Sequence, residues 1–262
     1  MSAQDLRAIF DQDPERYDSA RPTYPPALFE DLAELTALGP GRRVAEIGPG
    51  TGQATAALAR SGAHVVAVEL GAGMASILKR RLGPVEVEVV VSAFEDWALP
   101  EEPFDVLTAF TAWHWLDETV RTPKAAAALR SGGVLATVTT FHIRDGSDCF
   151  FSRVQDCYQR WDPTTRPGFV PPWSADVPPV RDEVDDSDLF LPAVRKRCQQ
   201  DLDYTAESYL ELLNTYSGHR ALETTQRANL LACISELINE DFGGTITKRY
   251  LYELRVARRS GR

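Results

Sequence analysis

A glycine-rich loop between a strand and a helix constrains this sequence more than any other feature. Residues 46–52 read EIGPGTG, after an apolar run at 44–47 and before an alanine-rich helical stretch at 53–60. Glycine permits a tight turn and lets a ligand approach main-chain atoms without interference from a Cβ atom. The adjoining helix N-terminus favours polar or anionic groups. The pattern therefore predicts a ligand site at the carboxyl end of a buried strand.

Short apolar strands alternate with helices on both sides of this loop. Strands are predicted at 44–47, 65–68, 85–91, 104–110 and 134–140, and helices at 28–35, 53–60, 74–82 and 119–129. Such alternation implies a parallel sheet with helices on both faces. Later strands at 197–204 and 247–257, separated by helices at 206–216 and 222–238, complete the pattern. The predicted fold class is a Rossmann-like α/β fold with a seven-stranded, mostly parallel sheet and an inserted cap.

Charge and composition exclude several classes of partner. The 262 residues carry 28 basic and 38 acidic side chains, a formal net charge of -10, which disfavours nucleic acid. The C-terminal arginines, including Arg255, are interpreted as a solvated end, and the acidic run at 182–188 as a solvated loop. No apolar run reaches membrane-spanning length and the first residues carry no signal-peptide pattern, so a cytoplasmic protein is expected.

The cysteines and histidines show no metal-binding pattern. None of the four cysteines (Cys149, Cys157, Cys198 and Cys233) forms a C-x-x-C pair, and no histidine is spaced to complete a zinc site. In a chain of this length they are interpreted as reduced, partly buried thiols. We therefore expect no metal cofactor.

Two carboxylates indicate which ligand the loop binds. Glu69 ends the second predicted strand, 21 residues after Gly48, where it can accept hydrogen bonds from both ribose hydroxyls. This placement fits a dinucleotide or S-adenosylmethionine. The glycine pattern is G-x-G-x-G rather than the dinucleotide pattern G-x-G-x-x-G. Glu46, directly before the loop, can hold an ammonium group and would repel a pyrophosphate, so S-adenosylmethionine is favoured.

Several segments together resemble a known family. Residues 46–52, Glu69, Phe104-Asp105 and 129–135 (LRSGGVL) are similar to the successive motifs of class I S-adenosylmethionine-dependent methyltransferases. More narrowly, residues 17–25 (YDSARPTYP) and 112–117 (AWHWLD) resemble the branch containing trans-aconitate methyltransferase-like enzymes. The resemblance extends over nearly the whole chain. It implies methyl transfer from S-adenosylmethionine, with S-adenosylhomocysteine as product.

The resemblance also implies roles for individual residues. The methionine portion would be surrounded by Glu46, Gly48, Pro49, Gly50 and Gly52. The ribose and adenine would contact Glu69, Leu70, Ala93 and Phe94, where Ala93 replaces the usual acidic side chain. Thr111 and Trp113 would lie beneath the sulfonium. Tyr17, Arg21 and Tyr24 would lie on an N-terminal lid, with Arg21 a candidate partner for a carboxylate.

Acceptor-binding candidates are mainly aromatic side chains and histidines. His114 could act as a general base, or as a structural or substrate-contacting histidine. The other candidates are Tyr24, Trp115, His142, Trp173 and Tyr216. His64 and His219 are interpreted as loop or surface residues, and His219 is also a weaker pocket candidate. A carboxylate acceptor is already ionised at neutral pH, so its methylation can depend on alignment and water exclusion without a base.

These observations give one preferred function and several alternatives. The chain is predicted to methylate a small molecule, with a carboxylate oxygen preferred. Hydroxyl, nitrogen or carbon methylation and methylation of a peptide C-terminal carboxylate are alternatives, as are a non-catalytic S-adenosylmethionine-binding module and an NAD-dependent oxidoreductase. The predicted organisation is a lid at 1–26, a cofactor-binding core at 27–144, a substrate cap at 145–192 and the end of the sheet at 193–262, in a monomer or homodimer without a membrane partner.

Overall fold

Seven strands form one mixed sheet in the computed structural model, which describes residues 7, 10–147 and 149–261. The strand order is β3-β2-β1-β4-β5-β7-β6; β1 to β5 are parallel, and β7 is antiparallel to both β5 and β6. The strands are β1 Arg43–Ile47, β2 His64–Glu69, β3 Glu88–Val91, β4 Phe104–Phe110, β5 Leu129–Gly146, β6 Val194–Thr205 and β7 Thr245–Arg258. The predicted Rossmann-like α/β class is confirmed.

Helices cover both faces of this sheet. The two N-terminal helices are α1 Pro14–Ala20 and α2 Pro26–Thr36. Those between the parallel strands are α3 Thr55–Arg60, α4 Ala72–Leu82 and α5 Glu118–Ala128. The remaining helices are α6 Phe150–Trp161, α7 Glu183–Asp186, α8 Ala206–Leu213, α9 Ser217–Arg220 and α10 Thr224–Asp241. Short 3-10 turns occur at Phe10–Gln12, Trp113–Trp115 and Ser174–Asp176.

The central strands determine where a ligand can bind. Strands β1 and β4 are almost wholly buried, since each has helices on both faces. The chain order reverses between them: β2 and β3 lie on one side of β1, whereas β5 and β7 lie beyond β4. Ligands of open α/β sheets bind at such a reversal, outside the carboxyl ends of the strands. The loops after β1, β2 and β4 meet at that edge.

The segment between β5 and β6 packs against the C-terminal helices. Helix α6 lies along α10, where Cys157 and Cys233 form a disulfide with their Cα atoms 5.9 Å apart. The expectation that both are reduced thiols is therefore wrong, because the packing of α6 against α10 brings residues 76 positions apart into contact. Strand β5 also continues to Gly146, past the predicted boundary at 144, because it pairs with β7 along its length.

Arg255 and the acidic run at 182–188 are both expected from the sequence to be solvated, but they form ion pairs that are wholly or partly buried. Arg255 is 2% exposed, and its guanidinium donates to Asp182 at 2.5 and 2.9 Å and to Asp185 at 3.2 Å. Glu183 accepts from Arg121, which is itself buried. The sequence alone reveals neither interaction because the partners are separated by more than 60 residues. The run ties the inserted segment to the sheet by charge pairing.

The described ranges contain neither a candidate membrane-spanning helix nor a cluster of metal-ligating side chains. No helix there is both long and apolar enough to traverse a bilayer. Within the same ranges, no group of three or more histidine, cysteine, aspartate or glutamate side chains is arranged to hold a metal ion.

Candidate functional site

The glycine-rich loop connects the end of β1 to α3. Gly48 has φ of 64°, and a Cβ atom built on it would lie 2.7 Å from the Cβ of Ala112, so the loop packs closely against the loop after β4. Gly50 also has a positive φ, of 60°, and a Cβ atom there would point toward Tyr17 at 3.6 Å. Any larger residue at these two positions would intrude on the space beside the loop. The loop therefore exposes main-chain atoms to that space.

Glu46 is a buried carboxylate without a polar partner. Its side chain is 1% exposed, and neither carboxylate oxygen accepts a hydrogen bond from the described residues. Burial raises the pKa of Glu46 to about 7; the neighbouring Thr55 hydroxyl opposes this rise, and the nearby charge of Glu69 adds to it. A buried charge is unfavourable unless it is paired. Glu46 thus has the environment of a group that binds a cationic ligand atom.

Glu69, at the end of β2, faces the same loop. Its carboxylate accepts hydrogen bonds from the main-chain N–H groups of Gly50 at 2.9 Å and Gly71 at 2.8 Å. Burial raises its pKa, and the two main-chain donors oppose that change. The side chain therefore lies between the glycine loop and α4, where the sequence predicts ribose hydroxyls.

Residues of the N-terminal segment form one wall. Tyr17, on α1, contacts the glycine loop, and the guanidinium of Arg21 lies over the rings of Tyr17 at 4.9 Å and Tyr216 at 4.4 Å. Arg21 also donates to the hydroxyl of Thr215 at 2.8 Å and to its carbonyl at 3.0 Å. The segment is thereby fixed to the loop after α8. Residues 1–6, 8 and 9 of the predicted lid lie outside the described residues.

Thr111 follows β4 in an uncommon backbone conformation. Its φ is 54°, which is a genuine outlier for a β-branched residue. Its hydroxyl is 2.8 Å from that of Thr140 on β5 and 3.0 Å from that of Tyr24. Strained backbone conformations persist where the surroundings enforce them and are concentrated at functional sites. The three hydroxyls form a polar strip between the glycine loop and β7.

Two predicted histidines face the open space. His114 lines it and lies against Trp115, with ring centroids 4.8 Å apart; partial desolvation by its neighbours and the charge of Arg121 lower its pKa. His142 packs edge-on against Tyr216 at 5.3 Å, and burial together with Lys248 lowers its pKa to about 3. Both imidazoles are therefore mainly neutral at pH 7. The low pKa of His142 makes it a poor proton acceptor, which leaves His114 as the candidate base.

Most of the predicted residues line one cavity of about 1020 Å³. From the cofactor predictions these are Tyr17, Arg21, Glu46, Gly48, Pro49, Gly50, Glu69, Leu70, Ala93, Phe94 and Thr111. From the acceptor predictions they are Tyr24, His114, Trp115, His142 and Tyr216. The volume is at the upper end of the range for small-molecule sites, so two ligands can be held together.

Three predicted residues lie away from this cavity. A Cβ atom on Gly52 would meet Leu78 of α4 at 2.5 Å, so this glycine permits close packing inside the fold. Trp113 is 5% exposed and packs in the core beneath the guanidinium of Arg121. Trp173 is 46% exposed and stacks on Arg144 at 4.1 Å. The structure therefore does not bring these three together with the other predicted site residues.

Sequence reasoning missed most of the inner end of the cavity. His219, interpreted as a loop or surface residue and only as a weaker pocket candidate, lines it and is hydrogen-bonded to the hydroxyl of Tyr158 at 2.9 Å. Burial lowers the pKa of His219 to about 4. Lys248 and Tyr250 of β7 line it too. The alternation of Lys248, Tyr250 and Tyr252 along a strand places them on one face, and this signal was available in the sequence.

Comparison with known proteins agrees with this geometry. Residues 45–137, which run from β1 into β5, match the family model of the methyltransferase domain. An uncharacterized methyltransferase of Mycobacterium tuberculosis is 34% identical over 137 residues, which are 52% of this chain and 54% of that protein. Residues 45–137 form an S-adenosylmethionine-dependent methyltransferase domain. The chain spans about half the length of the curated relatives it matches.

Solved structures extend the likeness of the methyltransferase domain to the whole fold. A candidate type II methyltransferase from Anaeromyxobacter dehalogenans is 25% identical with a TM-score of 0.62, covering 91% of this chain and 97% of that one. A phosphoethanolamine N-methyltransferase of Haemonchus contortus, solved with S-adenosylhomocysteine, is 15% identical with a TM-score of 0.55, covering 99% and 60%. The latter likeness shows the fold alone.

Proposed function

We propose that this protein transfers a methyl group from S-adenosylmethionine to an oxygen atom of a small molecule, preferably a carboxylate oxygen. The observation that carries the proposal is Glu46: a buried, unpartnered carboxylate beside a glycine loop. It matches the ammonium of the methionine portion in charge and in its need for hydrogen bonds. A pyrophosphate at the same place would meet a like charge, which disfavours a nicotinamide dinucleotide.

The chain's own residues would hold the cofactor at three points. Glu46 would accept hydrogen bonds from the ammonium, and the loop around Gly48 and Gly50 leaves room for the methionine chain. Glu69 would exchange its bonds to main-chain N–H groups for bonds to ribose hydroxyls. Ala93 and Phe94 line the cavity beyond β3, where the adenine is expected. When bound, S-adenosylmethionine supplies a methyl group on a sulfonium, a leaving group that is already activated.

The acceptor would lie on the other side of Thr111. The hydroxyls of Thr111, Tyr24 and Thr140 can orient a polar acceptor group through hydrogen bonds. A carboxylate needs no deprotonation, so alignment and exclusion of water would suffice. His114 is neutral and exposed to the cavity, so it can take the proton of a hydroxyl acceptor. Helix α6 and the N-terminal segment would close the site as cap and lid.

Calorimetric titration tests the cofactor first. We expect S-adenosylmethionine and S-adenosylhomocysteine to bind the wild-type protein, and Gly50→Arg to abolish binding because the new side chain enters the cavity beside Tyr17. NADH serves as the control ligand. Binding of NADH alone would refute the proposal and indicate an oxidoreductase.

An acceptor screen then tests methyl transfer. It would compare carboxylic acids with hydroxyl, amine and carbon acceptors and with a peptide carrying a free C-terminal carboxylate, scoring formation of S-adenosylhomocysteine. Turnover confined to another acceptor class would replace the carboxylate assignment. Cofactor binding without turnover on any class would support a non-catalytic binding module. The oligomeric state and a cytoplasmic location stay predictions.

A further inference from the structure

Six charged side chains are buried in the part of the chain that the structure describes. They are Glu46, Glu69, Arg121, Lys248, Glu253 and Arg255. Arg121, Glu253 and Arg255 form ion pairs within the protein, and Glu69 is held by main-chain N–H groups. Glu46 and Lys248 have neither kind of partner among the described residues, and both line the same cavity. Glu46 lies at the predicted cofactor side of this cavity. Lys248 is therefore the buried charge whose partner is still to be identified.

Lys248 is held among aromatic rings. The residue is 3% exposed, and its ammonium lies 4.8 Å from the ring centre of Phe151 and 5.0 Å from that of Tyr250. Such cation–π contacts offset part of the loss of hydration but leave the three N–H donors unused. Burial accordingly lowers the pKa of Lys248 to about 8, and no carboxylate of the described residues opposes this. The ammonium can therefore bind an anion that enters the cavity.

The register of β7 fixes how far this ammonium lies from the expected reaction site. Tyr252 pairs with Thr140, whose hydroxyl contacts Thr111. Lys248 is four residues earlier on the same face of β7, about 13 Å along an extended strand. An acceptor that reaches from Thr111 to Lys248 is thus elongated, on the order of 10 Å once the length of the lysine side chain is allowed for.

The wall between these points is aromatic. It is formed by Phe151, Tyr158, Tyr209, Tyr216 and Tyr250. The hydroxyls of Tyr250 and Tyr158 already have partners, in Tyr204 and His219 respectively, so these rings offer mainly their apolar faces. An aromatic or otherwise apolar body matches this wall, and an anionic end matches Lys248.

We propose that Lys248 binds an anionic group at the far end of an elongated methyl acceptor whose apolar or aromatic body lies along the tyrosine wall. The inference rests on the proposed function only in calling that ligand the methyl acceptor. The anchoring group is distinct from the acceptor atom, which lies near Thr111. The ligand class is therefore an arylalkyl or other apolar chain with a terminal carboxylate or similar anion.

Matched pairs of probes test this assignment. ω-Phenylalkanoic acids of increasing chain length and their primary amides would be titrated by calorimetry into the whole protein, with and without saturating S-adenosylhomocysteine. Hydrogen bonds to a charged group are stronger than neutral ones. We therefore expect the best acid to bind about tenfold more tightly than its amide. Lys248→Met should reduce that preference to about twofold or less, and Lys248→Arg should retain part of it.

Lys196→Met is the matched control, because Lys196 lies on β6, outside the cavity, and pairs with Asp31. It should keep the wild-type preference, and Lys248→Met should keep the wild-type affinity for S-adenosylhomocysteine, which shows that it is folded. Equal binding of acids and amides, absence of binding by every acid, or an unchanged preference in Lys248→Met would each overturn the inference. Failure of S-adenosylhomocysteine to bind would count against the proposed function. The titrations of acids and amides without S-adenosylhomocysteine would still test the role of Lys248.

Discussion

Replacing Glu46 by glutamine should stabilise the protein at neutral pH. Burial raises the pKa of Glu46 from its ordinary value near 4.5 to about 7. The folded state therefore binds more protons than the unfolded state between these two values, and stability falls as the pH rises through that window. At pH 7 the ionisable group lowers the free energy of unfolding by about 3 kcal/mol. Glutamine removes this pH-dependent penalty, although its own buried amide forfeits about 1–2 kcal/mol.

Urea unfolding at pH 8 and pH 4.5 measures the effect. The advantage of Glu46→Gln over wild type should be about 3 kcal/mol larger at pH 8 than at pH 4.5, because Glu46 is largely protonated in the folded protein at the lower pH. S-adenosylhomocysteine binding should weaken at the same time, since a neutral amide replaces the partner of the ammonium. The test thus separates stability from function in one variant.

Glu253→Gln is the contrasting control. Glu253 is also 1% exposed, but it accepts from Arg197 at 2.6 and 2.8 Å and from the N–H of Val180 at 2.8 Å. Breaking this buried pair should destabilise the protein by about 3 kcal/mol and leave S-adenosylhomocysteine binding unchanged. If Glu46→Gln behaves like Glu253→Gln, or if its stability difference does not vary with pH, Glu46 has a partner in solution and the reasoning fails.

Three further outcomes are expected. Because Glu46 is about half protonated at pH 7, binding of S-adenosylhomocysteine should release about half a proton per protein molecule. Calorimetric titration in buffers of different ionisation enthalpy measures this release. Absence of proton release would contradict an ammonium contact. Arg255→Met should lower the free energy of unfolding by about 3 kcal/mol, because it leaves Asp182 without its main partner; a change within about 0.5 kcal/mol would mean that the acidic run is solvated. Trypsin cleavage at Arg16 should slow when S-adenosylhomocysteine binds, if the N-terminal segment closes on the site; equal cleavage rates would refute that closure.

The part of the site built from β1, β2 and the loops after them was predictable from local pattern. Gly48 and Gly50 follow one recognisable strand and Glu69 ends the next, and parallel strands bring their carboxyl ends to one edge. Gly52 shows the limit of this reasoning: it belongs to the same motif, yet its missing side chain serves packing against Leu78. A motif identifies the loop but does not say which of its glycines contacts the ligand.

The acceptor side was less predictable because its residues come from distant parts of the chain. His219 lies on the short helix α9 and lines the cavity, and its contact with Tyr158 of α6 crosses 61 residues. The aromatic character of Trp173 suggests a pocket residue, but an aromatic side chain in an insertion can equally stack on an arginine, here Arg144. Long-range pairing of this kind leaves no periodic signal in the sequence.

Charge pairing separates residues that hold the fold from residues that remain available to ligands. Arg255 and Glu253 are buried with opposite charges beside them, so that removing either side chain would leave an unpaired buried charge. Glu46 and Lys248 are buried without such partners, so each is unfavourable in the folded protein alone. The presence of these two opposite charges at the two ends of one cavity is explained if a bound ligand supplies the missing partner of each. A cationic cofactor group at Glu46 and an anionic acceptor group at Lys248 would do so, and would orient the two ligands toward each other across Thr111.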